Sequence, residues 1–400
     1  MTTIKDSVHD HIEVEGVAAD LLDTPAVQRL RHIKQLGTVQ LAYPSANHTR
    51  FEHSLGVYHL ARRGCRHLDI EGGRAEAVQA AAVLHDVGHG PYGHQTEGII
   101  ERRLGRHHDE VHDLLEETAL ADVLESHGLS TTVVADLIDG QGKLGQLVSG
   151  ELDADRMDYL VRDAHHSGVP YGTIDQARLL RGLTFIDGDL ALAEGNLATA
   201  ESMLVARALM NATVYRHHVP RIAGEMLESA CERLLDGTDL DAERFARMAD
   251  DELLAALRDH EPTAEDAARL AERDLYKRAV WAELDDVPDR IVDADHADER
   301  ETERAIAEAA GVPERAVLLD VPGRPAMPES STRVVVNGEV RRLQDASPLV
   351  QGLQAASTVQ WRLGVYAPEE HVEPVREAAL ETLDVPASGT RPSGDREAFV

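Results

Sequence analysis

The chain has 400 residues, 42 % of them hydrophobic, and its 72 acidic and 40 basic residues give a formal net charge of −32. The length suggests one large domain plus a smaller one, the apolar share excludes global disorder, and the negative field repels nucleic acid and anionic membranes. Lysine is scarce while Ala, Asp, Glu and Arg are common, which fits the solvated acidic surface of a halophilic protein, so the charge reads as habitat rather than partner.

Two cysteines, Cys65 and Cys231, cannot build a disulfide framework and neither lies in a CxxC, which points to a reducing cytoplasm. The opening MTTIKDSVHD lacks an apolar signal core, and no stretch approaches the roughly 18 apolar residues that would span a membrane. The expectation is a cytoplasmic protein with no membrane partner.

Apolar residues at helical spacing predict helices over 21–36, with Asp23-Thr24-Pro25 as a start signal, and over 54–67, 75–85, 111–126 and 154–165. LTFIDGDLALAE (183–194) reads as a hairpin turning at Asp-Gly, and a second helical block covers 202–236. After Leu240 come acid-rich amphipathic helices over 241–260 and 264–284. Strands over 317–322, 332–343 and 357–368 and a last helix at 370–383 follow. The fold class expected is mainly α: a helical core over 1–235, a helical extension over 236–290, a small α+β lobe over 291–385 and a disordered tail over 386–400.

Within the helical part, His53, His85, Asp86 and Asp155 offer two imidazoles and two carboxylates from three helices, each on a turn whose apolar residues face inward. A buried bare carboxylate costs several kcal/mol unless a partner offsets it. Two nitrogens and two oxygens suit one divalent ion such as Mn, Fe, Mg, Ni or Zn, with open positions left for water or substrate. Residues 85 and 86 stand about 100° apart on a helix, enough to fill neighbouring corners of one coordination sphere. Gly88, Gly90 and Gly93 permit a tight turn near phosphate and do not form a dinucleotide-binding GxGxxG.

The surrounding stretches are DTPAVQRLRHIKQLG (23–37), TRFEHSLGV (49–57), LHDVGHGPYGH (84–94) and DADRMDYLVRDAHHSGV (153–169). With them the chain resembles the HD-domain metal-dependent phosphohydrolases, whose H…HD…D signature is met by His53, His85-Asp86 and Asp155. More narrowly it is similar to the deoxynucleoside-triphosphate triphosphohydrolase (dGTPase-like) branch, over residues 4–235 and more weakly through LYKR (275–278).

That resemblance implies roles. His53, His85, Asp86 and Asp155 would hold the ion, while Arg50, Arg156 and Arg207 would grip phosphate. His89, His94 and His112 would line the reacting phosphate, with His94 or His112 protonating the leaving oxygen and Glu97 orienting His94. Gln35, Leu36, Tyr159, Asp163 and Tyr215 would form the sugar pocket. His107, His108, His165 and His166 read as bystanders, apart from a bracing role for His165 on the Asp155 helix. Asp6, His9, His11, Asp23, Gln28, Arg29 and Arg31 stand where regulated members bind an activating nucleotide between subunits. An allosteric nucleotide and a homo-oligomer, dimer or tetramer, are therefore expected.

The activity implied is hydrolysis of dNTPs to deoxynucleoside and triphosphate. A nucleoside monophosphatase or phosphodiesterase is the alternative, against which three phosphate-gripping arginines count. A catalytically idle nucleotide-binding scaffold is another, which would not need the further histidines.

Overall fold

The structure, a computed structural model, describes residues 2–116 and 119–387. In chain order, the hairpin β1 (Thr2–Asp6) and β2 (Asp10–Val14) leads to α1 (Val17–Leu22), α2 (Pro25–Arg29), α3 (Arg50–His67), α4 (Gly73–Leu84) and α5 (His94–Leu104). Next come α6 (His112–Glu116), α7 (Ala119–Ser126), α8 (Thr131–Ile138), α9 (Gly142–Gly145) and α10 (Ala154–Ser167). The chain continues through α11 (Gln176–Gly182), β3 (Leu183–Ile186), β4 (Asp189–Leu192), α12 (Leu197–Met210), α13 (His218–Gly237), α14 (Ala242–Ala246), α15 (Asp250–Asp259) and α16 (Glu261–Glu272). It ends with β5 (Lys277–Glu283), α17 (Asp289–Val292), α18 (His296–Ala310), β6 (Leu318–Asp320), β7 (Arg333–Val336), β8 (Glu339–Arg342), α19 (Leu343–Ala346), α20 (Pro348–Val359), β9 (Arg362–Ala367) and α21 (Val372–Leu383). The fold is mainly α with small sheets, and among the described residues no helix is long and apolar enough to cross a membrane.

Two compact units share these elements. The first takes the chain to Tyr215 together with Leu240–Leu254 and Pro328–Gln351. The second takes Arg216–Asp239, Ala255–Met327 and the chain from Gly352. In the first, α3 packs against both α4 and α10, and α4 also meets α1 and α8. Every residue from Ala80 to Leu84 is fully buried, so the end of α4 has no solvent face. Each Val or Leu buried this way contributes about 1.5–3 kcal/mol. In the second unit β5, β9 and β6 form an antiparallel sheet with β9 at its centre, and α18 and α21 cover it around Trp361, Leu363, Val365 and Val375.

Several expected elements are shorter or of another kind. The helix read over 21–36 breaks into α1, α2 and a 3-10 turn at Leu30–His32, because Pro25 keeps Thr24 extended. The helix read over 111–126 shows as α6 and α7, on either side of residues outside the description. The block read over 202–236 is interrupted by a π turn, Asn211–Tyr215. The helix read over 264–284 stops at Arg273, in left-handed conformation, and β5 follows because Ala279, Val280 and Ala282 are buried in the sheet.

The division of the chain also departs from the boundaries at 235, 290 and 385. Strand β7 pairs in parallel with β4 of the 183–192 hairpin, which draws Pro328–Gln351 into the first unit. Helix α13 instead packs on α16 and β6 in the second. These partnerships join segments far apart in sequence, which composition cannot register. The tail read from 386 lies, from residue 388, outside the described residues.

The second unit concentrates acid between α13 and α18. Burial pushes the Glu299 and Glu303 carboxyls up to about 7, and neighbouring carboxylates add to the shift. A folded state that keeps protons which the unfolded chain releases loses stability as pH rises through that window, from about 4.5 to 7. Glu299→Gln should therefore raise the melting temperature at pH 8 and leave it nearly unchanged at pH 5, read by calorimetry at both pH values.

Candidate active site

Helix α3 starts at a capping box in which Thr49 and Glu52 satisfy each other's free groups. His53 lies one turn later. The buried end of α4 delivers His85 and then Asp86, and Asp155 sits in the first turn of α10, capped by the Asp153 side chain accepting from the Arg156 amide. Three elements thus converge. His53 Nε2 lies 3.2 Å from His85 Nε2 and 2.9 Å from Asp155 Oδ1, while His85 Nε2 lies 3.5 Å from Asp86 Oδ1. Asp155 is the open member, with its side chain 31 % exposed.

The donor set fits a cation. The Ala82 carbonyl can only accept, so His85 carries its proton on Nδ1, 2.9 Å away. His53 Nδ1 is 2.8 Å from Asp158 Oδ2. Burial works against the Asp158 charge, but Arg162, His53 and His9 outweigh it and hold the carboxyl well below its usual range. Asp158 therefore accepts from His53. Both Nε2 lone pairs then face each other beside two carboxylates, an arrangement that repels unless positive charge lies between. Without an ion a proton takes that place: burial disfavours the His53 imidazolium, yet Asp155 and Asp158 raise its pKa to about 10. Asp86 Oδ2 likewise has no hydrogen-bond partner among the described residues, although Arg50 Nη1 is 3.0 Å away. Asp158 itself is buried against Arg162, which also reaches Asp6 Oδ2 at 2.8 Å.

A second cluster stands beside the first. His89 Nε2 is 3.3 Å from Asp86 Oδ1, and its ring stacks on His108 at 3.8 Å between centroids. Glu97 lies between His94, 2.7 Å from Nδ1, and His108 Nδ1, which it also contacts. Burial opposes both charges, yet Glu97 raises the His108 pKa while His108 and His94 hold Glu97 well below the carboxylate range. His89 goes the other way, kept neutral by burial with Arg50 and His108 nearby. Two stacked imidazoles with opposed shifts make an acid and a neutral partner. Gly88 is required here, since a Cβ would lie 2.0 Å from the His108 carbonyl oxygen.

His112 does not join this cluster; its Nε2 is 3.2 Å from Asp136 on α8 and its side chain is 43 % exposed. The residue that sequence reasoning missed is His108. His108 stands in a turn and His112 at the start of α6, four residues on in HHDEVHDLL, and nothing in that spacing chooses between them. His165 is exposed and edges against His166, and the brace on His53 is Asp158 instead.

Gln35 and Leu36 are pinned to the start of α3 by the Gln35 amide donating to the His48 carbonyl and by the Lys34–Thr49 bridge. Gln35 Oε1 is buried without a hydrogen-bond partner among the described residues. Tyr159 and Tyr215 meet edge to face at 6.3 Å, and the Tyr215 hydroxyl donates to Asp163 Oδ2 at 2.7 Å. His48 Nε2 reaches the other Asp163 oxygen at 2.8 Å. Arg156 and Arg207 come together here too, but both bind Glu329: Arg156 Nε at 2.9 Å and Arg207 Nη1 at 2.8 Å.

Of the segment expected to take a second nucleotide, Gln28 donates to the Leu22 carbonyl, Arg31 lies over the Phe51 ring, and three more residues bind near the centre. Asp6 pairs with Arg162, His9 Nε2 is 2.6 Å from Asp158, and Arg29 donates to the carbonyls of Val87, His89 and Met248. Arg29 thereby fixes the turn that carries Asp86 and His89.

Loss of the carboxylate behind a ligating imidazole lowers metal affinity by about 10- to 100-fold. Asp158→Asn should weaken binding of Mn²⁺ by that order, read by equilibrium dialysis, with unchanged circular dichroism; full affinity would remove Asp158 from the site.

The HD-domain model matches residues 50–163 and the HD-associated region matches 174–393. The uncharacterized protein MJ1154 of Methanocaldococcus jannaschii is 32 % identical over 387 residues, covering 94 % of this chain and 81 % of that protein. The deoxynucleoside triphosphate triphosphohydrolase SAMHD1 of Bos taurus is 28 % identical over 343 residues, with 69 % of this chain and 58 % of that protein covered. The uncharacterized protein YwfO of Bacillus subtilis is 38 % identical over 243 residues, 57 % of this chain and 55 % of that protein. The chain thus spans little more than half the length of the last two. Among solved structures, a hypothetical protein from Aquifex aeolicus superposes with a TM-score of 0.76 at 28 % identity, covering 94 % of this chain and 99 % of that one. A phosphohydrolase from Bacteroides thetaiotaomicron gives 0.72 at 26 % identity, covering 92 % and 100 %. With the H…HD…D residues converged as the geometry above describes, the chain belongs to the HD-domain phosphohydrolase family and carries that family's HD-associated region.

Proposed function

We propose that this protein hydrolyses deoxynucleoside triphosphates to deoxynucleoside and triphosphate. The observation that carries the reading is the pairing of two centres across Asp86: His53, His85 and Asp86 converging, with Asp155 against His53, on one side and the Glu97-bound histidine cluster on the other. His53, His85, Asp86 and Asp155 would hold one divalent ion. Such an ion neutralises phosphate charge and lowers the pKa of a water at neutral pH.

The chain's own groups account for the remainder. Arg50, buried with an unpartnered Nε, offers a donor to a phosphate oxygen. His108, charged against Glu97, is the proton source nearest His89, with the 66 % exposed His94 beside it; either can protonate the leaving oxygen. Gln35 and the Tyr159–Tyr215–Asp163 group form a polar and aromatic wall suited to a sugar and its base. An activating nucleotide and a homo-oligomer belong to the same reading, as does the cytoplasm as compartment.

One observation favours a smaller phosphate ester as second reading: with Arg156 and Arg207 on Glu329, Arg50 is the phosphate-binding candidate left unpaired at Nε. Purified protein in high salt with Mn²⁺, assayed across dNTPs, NTPs and dNMPs with and without dGTP, separates the two. Release of inorganic triphosphate from dNTPs supports the first; release of orthophosphate from dNMPs alone replaces it with the second.

The proton donor has its own test. Glu97 stabilises the charged form of His108, so Glu97→Gln should let that proton leave at lower pH. The alkaline limb of the kcat profile should move acidward, and an unmoved limb would remove His108 from proton transfer.

A further inference from the structure

Glu329 is 0 % exposed, on a 3-10 turn, Pro328–Ser331, of the segment that β7 and β8 bring into the first unit. A buried carboxylate is costly unless both oxygens are satisfied. Here Oε1 takes the Arg156 Nε–H at 2.9 Å and Oε2 takes Arg207 Nη1 at 2.8 Å. One anion bridging two guanidiniums is the arrangement a phosphate oxygen pair would adopt. Burial pushes the Tyr159 and Tyr215 hydroxyls up, and the nearby charges of Arg156 and Arg207 on Tyr159, and of Arg207 on Tyr215, only partly oppose it. Through these arginines Glu329 is linked to the Tyr159–Tyr215 pair proposed above as the sugar wall.

We propose that Glu329 is an internal occupant of the phosphate pocket, competing with the substrate's distal phosphates for Arg156 and Arg207, so that a triphosphate must displace it. The inference rests on the reading of those arginines as phosphate ligands. Local chemistry allows the exchange. The turn is tied by Thr332 Oγ1 donating to the Glu329 carbonyl at 2.8 Å and by Ser330 Oγ to Gln344 at 3.0 Å, neither of which needs the carboxylate in place. Arg156 keeps a second anion, Asp153, when Glu329 leaves. A polyphosphate carries several charges against one. Substrates with fewer phosphates displace Glu329 less well, which makes this residue a selector of phosphate number.

The test uses the full chain loaded with Mn²⁺ and inorganic tripolyphosphate as probe. Glu329→Gln should bind tripolyphosphate at least about tenfold more tightly by calorimetry, about 1.4 kcal/mol. KM for dNTP should fall by a similar factor with kcat little changed. Equal or weaker binding, or no binding to either form, overturns the proposal. A second variant, Glu329→Ala, should show the same gain in tripolyphosphate affinity, and equal or weaker binding by it overturns the proposal even where Glu329→Gln does not fold. If neither form hydrolyses dNTPs yet the variant gains tripolyphosphate affinity, the proposed function fails and this inference stands. If dNTPs are hydrolysed and the variant gains nothing, the inference fails alone.

Discussion

Two imidazole nitrogens 3.2 Å apart, each with its proton committed to the far side of the ring, repel one another unless a positive charge lies between them. Much of the first unit serves to impose that arrangement. Helix α4, buried throughout its last turn, cannot rotate His85 away without exposing Ala80–Leu84. Helix α10 supplies both Asp155 and, one turn on, Asp158, which locks the His53 ring. Gly56 lets the two helices meet, since a Cβ there would lie 1.8 Å from Asp158 Oδ1. Overpacking at such a contact costs about 1–3 kcal/mol in general. The electrostatic tension is therefore carried by packing, and a cation relieves it.

The same principle extends outward in layers. Asp158 stays ionised because Arg162 is buried beside it, and Arg162 in turn needs Asp6 of the N-terminal hairpin. On the other side, Asp86 ties the cation site to His89, and Arg29 anchors the turn between them through three backbone carbonyls. Residues that a linear reading assigns to a regulatory surface thus support the centre. Burial lowers the charge tolerance of every group involved, so each needs a named partner; Asp86 Oδ2, Arg50 Nε, Gln35 Oε1, His48 Nδ1, Ser54 Oγ and His89 Nδ1 are among the buried polar atoms with no hydrogen bond among the described residues.

Legibility differed by residue. His53, His85, Asp86 and Asp155 could be named from the chain because a paired His-Asp ending an apolar helix has few uses other than ligation. Tyr215 and Asp163 were named through family likeness, and the structure unites them in one hydrogen bond. His108 reads along the chain as a bystander, and its approach to Glu97 and Gly88 exists only in three dimensions. Glu329 carried no local signal, being one acid among many in an acidic chain.

The sequence alone determined the helical periodicity, the ligand types and the acidic surface, since these depend on residue identity and near-neighbour spacing. The strand read over 332–343 in fact turns at Asn337-Gly338, whose residues both take positive φ, and so divides into β7 and β8. Tertiary structure alone decided which histidine meets Glu97, how β7 returns to the 183–192 hairpin, and that Arg156 and Arg207 close on Glu329. Those outcomes depend on contacts across more than a hundred residues for the last two, and on a choice between two equivalent turns for the first. Side-chain charge then acts on whatever packing has brought within a few ångström, and spacing along the chain does not encode that.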